Sequence, residues 1–248
     1  MWIGTVNEKV RNLGYTILLV GLSFMTTPLF AQEAVNRDEI RQIVREYLIE
    51  NPEILLEVQQ ALEQKQQAEL ALTQQKTIEE NREVLYSSPY QVEFGDKNAE
   101  KTIVEFFDYN CGFCQRAMAD MHQMLETDRN VRFVLKEFPV LGEASLEASR
   151  VSLAVSKVIP EKYPQFHVEL LGMDGLKNGD RALKLAVSMG ADRDRIVEEM
   201  ENPEIFQAIQ EVYEIANGLG ITGTPSYVIG DEVVFGAVGY SHLKQVLE

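Results

Sequence analysis

The segment from Asn36 to Tyr86 has the hydrophobic pattern of two consecutive amphipathic helices. Asn36 can cap the first helix, with Glu39 three residues later as its reciprocal capping partner. Asn51 ends this helix, and Pro52 can open the second one. The apolar stripe of the first helix follows the spacing i, i+3, i+4, i+7, i+8, at Ile40, Ile43, Val44, Tyr47 and Leu48. This helix therefore needs a surface on which to bury its stripe.

The apolar face of the second helix fades along its length. Leu55, Val58 and Leu62 keep a heptad-like spacing, and a glutamine-rich stretch follows them. The stripe can pack on the rest of the same chain or on further copies of it, and we favour copies, in a dimer or trimer. Residues 32–63 are then a helical oligomerisation segment, and the polar residues 64–88 are a helical linker.

Beyond Ser87-Ser88-Pro89 the pattern changes to that of an α/β domain, residues 89–248. A short strand near 90–94 precedes a buried strand at 102–107, and a helix then runs to about Thr127. The next strand, 131–138, is expected to lie parallel to the previous one because of the handedness of βαβ connections.

Helical spacing then dominates until strand patterns return near the C-terminus. The predicted helices are 144–159, 161–171, 180–188, 192–199 and 203–217. The last elements are strands at 226–229 and 233–235 and a helix at 241–247. Helices between two halves of one sheet indicate an inserted helical domain at about residues 143–219.

The N-terminus has the three-part pattern of a secretory signal peptide. Lys9 and Arg11 precede an apolar stretch from Tyr15 to Met25, and small and turn-forming residues end at Ala31. The apolar stretch is shorter than the roughly 20 residues that span a bilayer, although an uncleaved anchor is the alternative. Residues 1–31 are therefore predicted to be removed, which places the protein in the oxidising periplasm.

The chain is strongly acidic. Its 23 Lys and Arg residues face 39 Asp and Glu residues, for a formal net charge of −16. Nucleic-acid binding requires clustered basic residues, so no nucleic-acid partner is predicted. A solvated acidic surface that keeps an exported protein soluble is the simpler interpretation.

Two cysteines, Cys111 and Cys114, are the only ones among 248 residues, and they directly follow a buried strand. A disulfide between them would close a very short loop and would stabilise the fold little. A zinc site needs about four ligands, and the three histidines do not have the required spacing. The pattern favours a redox pair without metal or other cofactor.

Three motifs resemble those of the DsbA-type thiol:disulfide oxidoreductases, and a fourth resembles their ScsC-like branch. The first three are Glu105 to Cys114, Lys136 to Gly142 and Gly223 to Tyr227, and the fourth is Asn51 to Leu55 in the oligomerisation segment. The resemblance covers essentially the whole chain after the signal peptide. It implies a thioredoxin-like fold with an inserted helical domain, behind an N-terminal oligomerisation segment.

The two cysteines are expected to have different roles. Cys111 lies at a helix start, where free N–H groups and the helix dipole lower a thiol pKa, so it is the predicted nucleophile. Cys114 is predicted to resolve the mixed disulfide. The resemblance implies that Glu105 is the buried acid that lies beneath the cysteines and accepts the proton of Cys114. The alternative is that Glu105 is a carboxylate on the surface. Asp108 is expected to be a loop acid.

Phe113, Thr224 and Pro225 are the predicted substrate-binding residues. Pro225 is expected to be cis and to face the cysteines, with a trans proline at an edge strand as the alternative. Phe113 stands where the oxidases of the family have a thiolate-stabilising histidine, so the disulfide should be less oxidising. Together with Phe113, Tyr109 and Tyr227 can form an apolar rim for unfolded substrates or belong to the core.

Three functions remain open at this point. An oligomeric disulfide isomerase or reductase for misoxidised exported proteins is favoured, because the Gly-Phe pair between the cysteines and Thr224 resemble the isomerases. The alternatives are a dithiol oxidase recycled by a membrane quinone reductase, and a holdase chaperone with an incidental cysteine pair. The predicted partners are cysteine-containing exported proteins, a membrane redox partner and further copies of the chain.

Overall fold

The computed structural model describes residues 36–248, so the predicted signal peptide lies outside the described residues. The chain divides into two compact units, Met1–Leu55 and Leu56–Glu248.

Helix α1 (Arg37–Glu50) makes up most of the described part of the first unit, as its periodicity predicts. The side chain of Asn36 caps it by accepting a hydrogen bond from the N–H of Asp38. At the other end, the N–H of Asn51 donates to the Tyr47 oxygen. Within α1 no residue is buried. Of the apolar stripe, Leu48 is half-buried and the other four side chains are exposed.

Helix α2 (Glu53–Glu80) is continuous, and α3 (Arg82–Ser87) follows it. The polar half of α2 does not stay solvated to its end, because Gln74 and Ile78 are buried. Gln74 Nε2 donates to the Leu219 oxygen at 2.8 Å. The prediction of a solvated linker is therefore wrong for its last part, which belongs to the core of the second unit. The sequence did not show this, because a glutamine that donates to a backbone carbonyl cannot be distinguished there from a surface glutamine.

Within residues 36–248, one five-stranded sheet is present. Its strands are β1 (Val92–Gly95), β2 (Lys101–Phe107), β3 (Val131–Glu137), β4 (Ser226–Ile229) and β5 (Glu232–Phe235). The order across the sheet is β1-β3-β2-β4-β5. Strands β2 and β3 are parallel, which confirms the prediction, and helix α4 (Gly112–Thr127) connects them. The other three pairs are antiparallel.

The predicted helical insertion is present between β3 and β4. Its helices are α5 (Glu143–Val158), α6 (Tyr163–Gly172), α7 (Gly179–Ser188), α8 (Arg193–Met200) and α9 (Pro203–Gly218). Helix α10 (Tyr240–Leu247) ends the chain. A short 3₁₀ turn, Pro160–Lys162, precedes α6.

Side chains of β2 alternate between two core layers, as expected for a strand buried on both faces. Ile103 and Phe107 pack with α4 and the insertion, whereas Val104 and Phe106 pack in the layer that contains residues of α3 and α9. Glu105 lies between Ile103 and Phe107 in the period of two. Its carboxyl group is therefore on the side of the sheet that carries α4.

Sheet pairing brings the candidate site residues together. Phe106 near the end of β2 pairs with Ser226 at the start of β4. The loop that leaves β2 carries Cys111, and the chain that enters β4 carries Pro225. Cys111 and Pro225 therefore lie at the same end of these two neighbouring strands.

Candidate active site

Cys111 is the N-cap residue of α4, and Cys114 lies inside the first turn. Both thiols are free. The residue Cys111 is 8% exposed and Cys114 is 0% exposed, so Cys111 is the more accessible of the two. The N–H of Cys111 donates to the oxygen of Asp108 at 3.0 Å, which fixes the loop before the helix.

The surroundings of Cys111 lower its thiol pKa to about 5. The largest cause is a hydrogen bond with the Cys114 side chain. Further hydrogen bonds also lower the pKa, from the Thr224 side chain and the N–H groups of Cys114 and Phe113, whereas desolvation raises it. At neutral pH Cys111 is thus mainly a thiolate, the form that attacks disulfides. Burial raises the pKa of Cys114, which stays a thiol.

Thr224 and Pro225 form the second side of the site. Their peptide bond is cis, as predicted from the sequence. The Cys111 Sγ lies 3.1 Å from the Thr224 oxygen, which accepts its hydrogen bond in the thiol form. The predicted approach of this segment to the cysteine pair is confirmed.

Glu105 is only 4% exposed, so the surface alternative is wrong. Burial raises the pKa of its carboxyl group to about 8, and the negative charges of Asp120 and Cys111 act in the same direction. Glu105 in turn contributes to the raised pKa of Cys114. The carboxyl group is therefore electrostatically coupled to both cysteines.

Of the three aromatic residues that the sequence left open between an apolar rim and the core, two belong to the core. Tyr109 and Tyr227 are buried in the core, at 0% and 1% exposure, whereas Phe113 is 57% exposed. The Tyr109 hydroxyl lies 2.7 Å from Ser152 Oγ within a buried polar cluster, which explains its depth. The guanidinium of Arg116 lies 4.2 Å from the centroid of the Phe113 ring.

Sequence reasoning missed the structural role of Asp108, which is completely buried. Its carboxylate accepts hydrogen bonds from the N–H groups of Asn110 and Leu141 and from Ser145 Oγ. The spacing of Asp108 and Asn110 is that of an Asx turn, which is the signal that could have revealed it. These three bonds hold the loop that presents Cys111.

Within residues 36–248, no group of three or more His, Cys, Asp or Glu side chains could hold a metal ion. In the same range no helix has the length and apolar character that crossing a membrane requires.

A low-pKa thiolate and a buried thiol at the start of a helix, facing a cis-proline on a thioredoxin-like sheet, define a thiol-disulfide oxidoreductase. Residues 102–248 match the DSBA-like thioredoxin domain, which is more than half of the chain, and the chain belongs to this family. Residues 36–69 match the copper resistance protein ScsC N-terminal domain.

Individual proteins are similar over long stretches. A thioredoxin-like oxidoreductase from Silicibacter pomeroyi DSS-3 is 40% identical, with a TM-score of 0.63, over 67% of this chain and 95% of that structure. A mutant of Proteus mirabilis ScsC with a deletion in its linker is 28% identical, with a TM-score of 0.64, over 88% and 95%. Disulfide bond formation protein D of Bacillus subtilis strain 168 is 25% identical over 62% of this chain and 74% of its own.

Proposed function

We propose that this protein is an exported, oligomeric disulfide isomerase and reductase that acts on misoxidised proteins in the periplasm. The observation that carries the proposal is the exposed apolar start of α2, which precedes a complete exchange site. Leu55, Val58 and Leu62, which share one face of the helix, are 58%, 58% and 52% exposed. Such a run of apolar side chains on one helix is typical of an interaction surface, and a dimer or trimer would bury it. Export rests on the pattern of residues 1–31.

The reaction starts with the Cys111 thiolate. It attacks one sulfur of a substrate disulfide, forms a mixed disulfide, and releases the second substrate sulfur as a thiolate. In isomerisation that thiolate attacks another disulfide of the substrate, and a substrate thiolate finally displaces Cys111. The electrons balance within the substrate, so no oxidant or reductant is consumed.

Reduction uses both cysteines. Cys114 loses its proton, attacks Cys111 Sγ, and releases the substrate as a thiolate, which leaves the enzyme oxidised. A membrane redox partner then returns two electrons to the pair. Glu105 accepts the Cys114 proton: the mixed disulfide removes the negative charge of Cys111, which lowers the pKa of Glu105 from about 8 and makes its carboxylate available.

Replacing Glu105 by Gln is expected to slow release of the substrate from the mixed disulfide by roughly tenfold or more, since general-base catalysis is lost. The first attack by Cys111 should change little. Acid quenching of the reaction with a disulfide peptide measures both steps. In the unmodified protein, release should accelerate as pH rises through the pKa of Glu105 in the mixed disulfide, which lies below the value of about 8 for the free enzyme. This acceleration should disappear in Glu105→Gln.

Glu137 offers a matched control, because burial raises its pKa to about 8 as well. Its carboxylate accepts a hydrogen bond from Ser149 Oγ rather than contacting the cysteines. Glu137→Gln should therefore leave release unchanged. An equal slowing in both variants would assign the effect to buried charge in general and would remove the proton-transfer role of Glu105.

A dithiol oxidase is the second candidate, and the pKa of Cys111 at about 5 favours it. A stabilised thiolate favours the reduced enzyme and makes the disulfide more oxidising. An isomerase and an oxidase are distinguished by their activity on scrambled and on reduced ribonuclease. The isomerase reactivates scrambled ribonuclease faster than it oxidises the reduced protein, and the oxidase does the opposite.

Replacing Phe113 by His is expected to move the protein towards the oxidase. A cationic ring beside the thiolate should lower the Cys111 pKa by roughly one unit and raise the reduction potential by about 30 mV. The pH dependence of iodoacetamide alkylation and equilibration with glutathione measure the two quantities. Phe113→Tyr is the control that should leave both unchanged; an unaltered pKa in Phe113→His would remove the argument from residue 113.

A further inference from the structure

The loop between α6 and α7, residues 173–178, lies against the cysteine motif and is called the flanking loop here. Just before it, the oxygen of Gly172 accepts a hydrogen bond from Gln115 Nε2 at 3.1 Å. Near its end, Lys177 exchanges two hydrogen bonds with the side chain of Asn110, at 2.8 and 2.7 Å. Asn110 and Gln115 directly precede and follow the cysteine motif, so the flanking loop passes alongside it.

The flanking loop is held in one conformation by hydrogen bonds from Arg181 in α7. Arg181 Nη1 donates to the oxygens of Asp174 and Leu176, each at 2.8 Å. Gly175 between them has a φ of +75°, the left-handed region that a glycine adopts without strain. A surface fixed in this way loses little conformational entropy when a ligand binds.

Leu176 is exposed at the tip of this loop, with 61% of its surface accessible. Its neighbour Lys177 is 6% exposed, and the backbone N–H of Lys177 donates a hydrogen bond to the side chain of Asn110. An apolar side chain is thus displayed on a rigid support next to the nucleophile. Phe113, with 57% exposure, adds a second apolar side chain between the two cysteines.

The occupant that fits this place is the substrate segment whose cysteine is joined to Cys111. That segment must pass the Cys111 sulfur, with Thr224 and Pro225 on one side, because the Thr224 oxygen lies 3.1 Å from Cys111 Sγ. The flanking loop is continuous with this exchange site through Asn110. A side chain close to the substrate cysteine can therefore reach Leu176.

We propose that Leu176 is a specificity-determining residue, which binds an apolar side chain within two residues of the substrate cysteine. The assignment rests on the proposed exchange of disulfides with protein substrates. This contact would favour disulfides that lie in apolar segments. Such segments are buried in correctly folded proteins and exposed in misfolded ones.

The test compares two mixed-disulfide peptides of equal length, with leucine or with serine beside the cysteine. The full-length protein is expected to react with the leucine peptide roughly tenfold faster in kcat/KM, as expected for burying part of a leucine side chain. Leu176→Ser should lose most of this preference, mainly through KM. Phe206→Ser is the matched control, because Phe206 is 63% exposed on α9 and is not part of the flanking loop.

Exchange with glutathione disulfide separates the possible failures, since glutathione presents no leucine. Leu176→Ser should retain the full rate with glutathione disulfide. An unchanged leucine preference in Leu176→Ser, or an equal loss in Phe206→Ser, would overturn the assignment of Leu176. No reaction of the unmodified protein even with glutathione disulfide would instead overturn the proposed exchange function, and this assignment with it.

Discussion

A variant that lacks residues 32–69 is expected to be a monomer that still reduces insulin but has lost most of its isomerase activity. The deletion removes the apolar stripe of α1 and the exposed start of α2. Isomerisation requires the substrate to be held while it tests other pairings, and several exchange sites in one oligomer supply a high effective concentration. Reactivation of scrambled ribonuclease should fall by roughly tenfold or more.

The structure decides where this deletion must end. Ile78 and Leu85 are 1% and 0% exposed in the core of the second unit, and the Gln74 amide pairs with the backbone of Leu219. A deletion that continued to residue 86 would remove these contacts and would destabilise the domain by cavity formation. Ending at residue 69 keeps them and matches the end of the ScsC N-terminal domain.

Light scattering and the ribonuclease assay are measured on the same samples. The chain from residue 32 with Ile43→Ser and Tyr47→Ser is a second variant, which keeps the full length but makes the stripe of α1 polar. It should dissociate like the deletion. An oligomeric deletion variant would mean that the stripe is not the interface, and full isomerase activity in a monomer would mean that oligomerisation is not its source.

The sequence predicted those features that depend on local periodicity and on short motifs. The helices of the insertion, the parallel pair β2 and β3, and the cis bond before Pro225 agree with the structure. Periodicity reports which face of an element is apolar, and this is sufficient when the whole face is buried. The cysteine spacing identified the site for the same reason, because both residues belong to one helical turn.

Features that depend on contacts between distant residues were not predictable. Lys177 of the flanking loop is hydrogen-bonded to Asn110, which lies 67 positions away in the chain. No local pattern in the sequence predicts such a pairing. Tyr109 and Tyr227 were open between rim and core, since a tyrosine is suited to both. The helix start predicted a lowered pKa for Cys111, but its largest cause is the side chain of Cys114, which depends on the detailed geometry of the turn.

Replacing Cys111 by Ala is expected to abolish disulfide exchange, a loss on the order of 10³-fold or more, because the nucleophile of the reaction is removed. The remaining Cys114 cannot substitute for it, since burial raises its pKa and closes it from solvent. Cys114→Ala should behave differently. It retains the attacking thiolate, although without the Cys114 hydrogen bond the pKa of Cys111 should rise from about 5, and it cannot resolve the mixed disulfide by an internal attack.

Covalent trapping of a disulfide-bonded protein by these two variants tests the central claim most directly. After reaction at neutral pH, mass spectrometry identifies which cysteine carries the substrate. Cys114→Ala is predicted to accumulate mixed disulfides at Cys111 that dithiothreitol releases, whereas Cys111→Ala should accumulate none. Trapping through Cys114 in the Cys111→Ala variant, at a rate similar to that of Cys114→Ala, would contradict the assignment of Cys111 as the nucleophile.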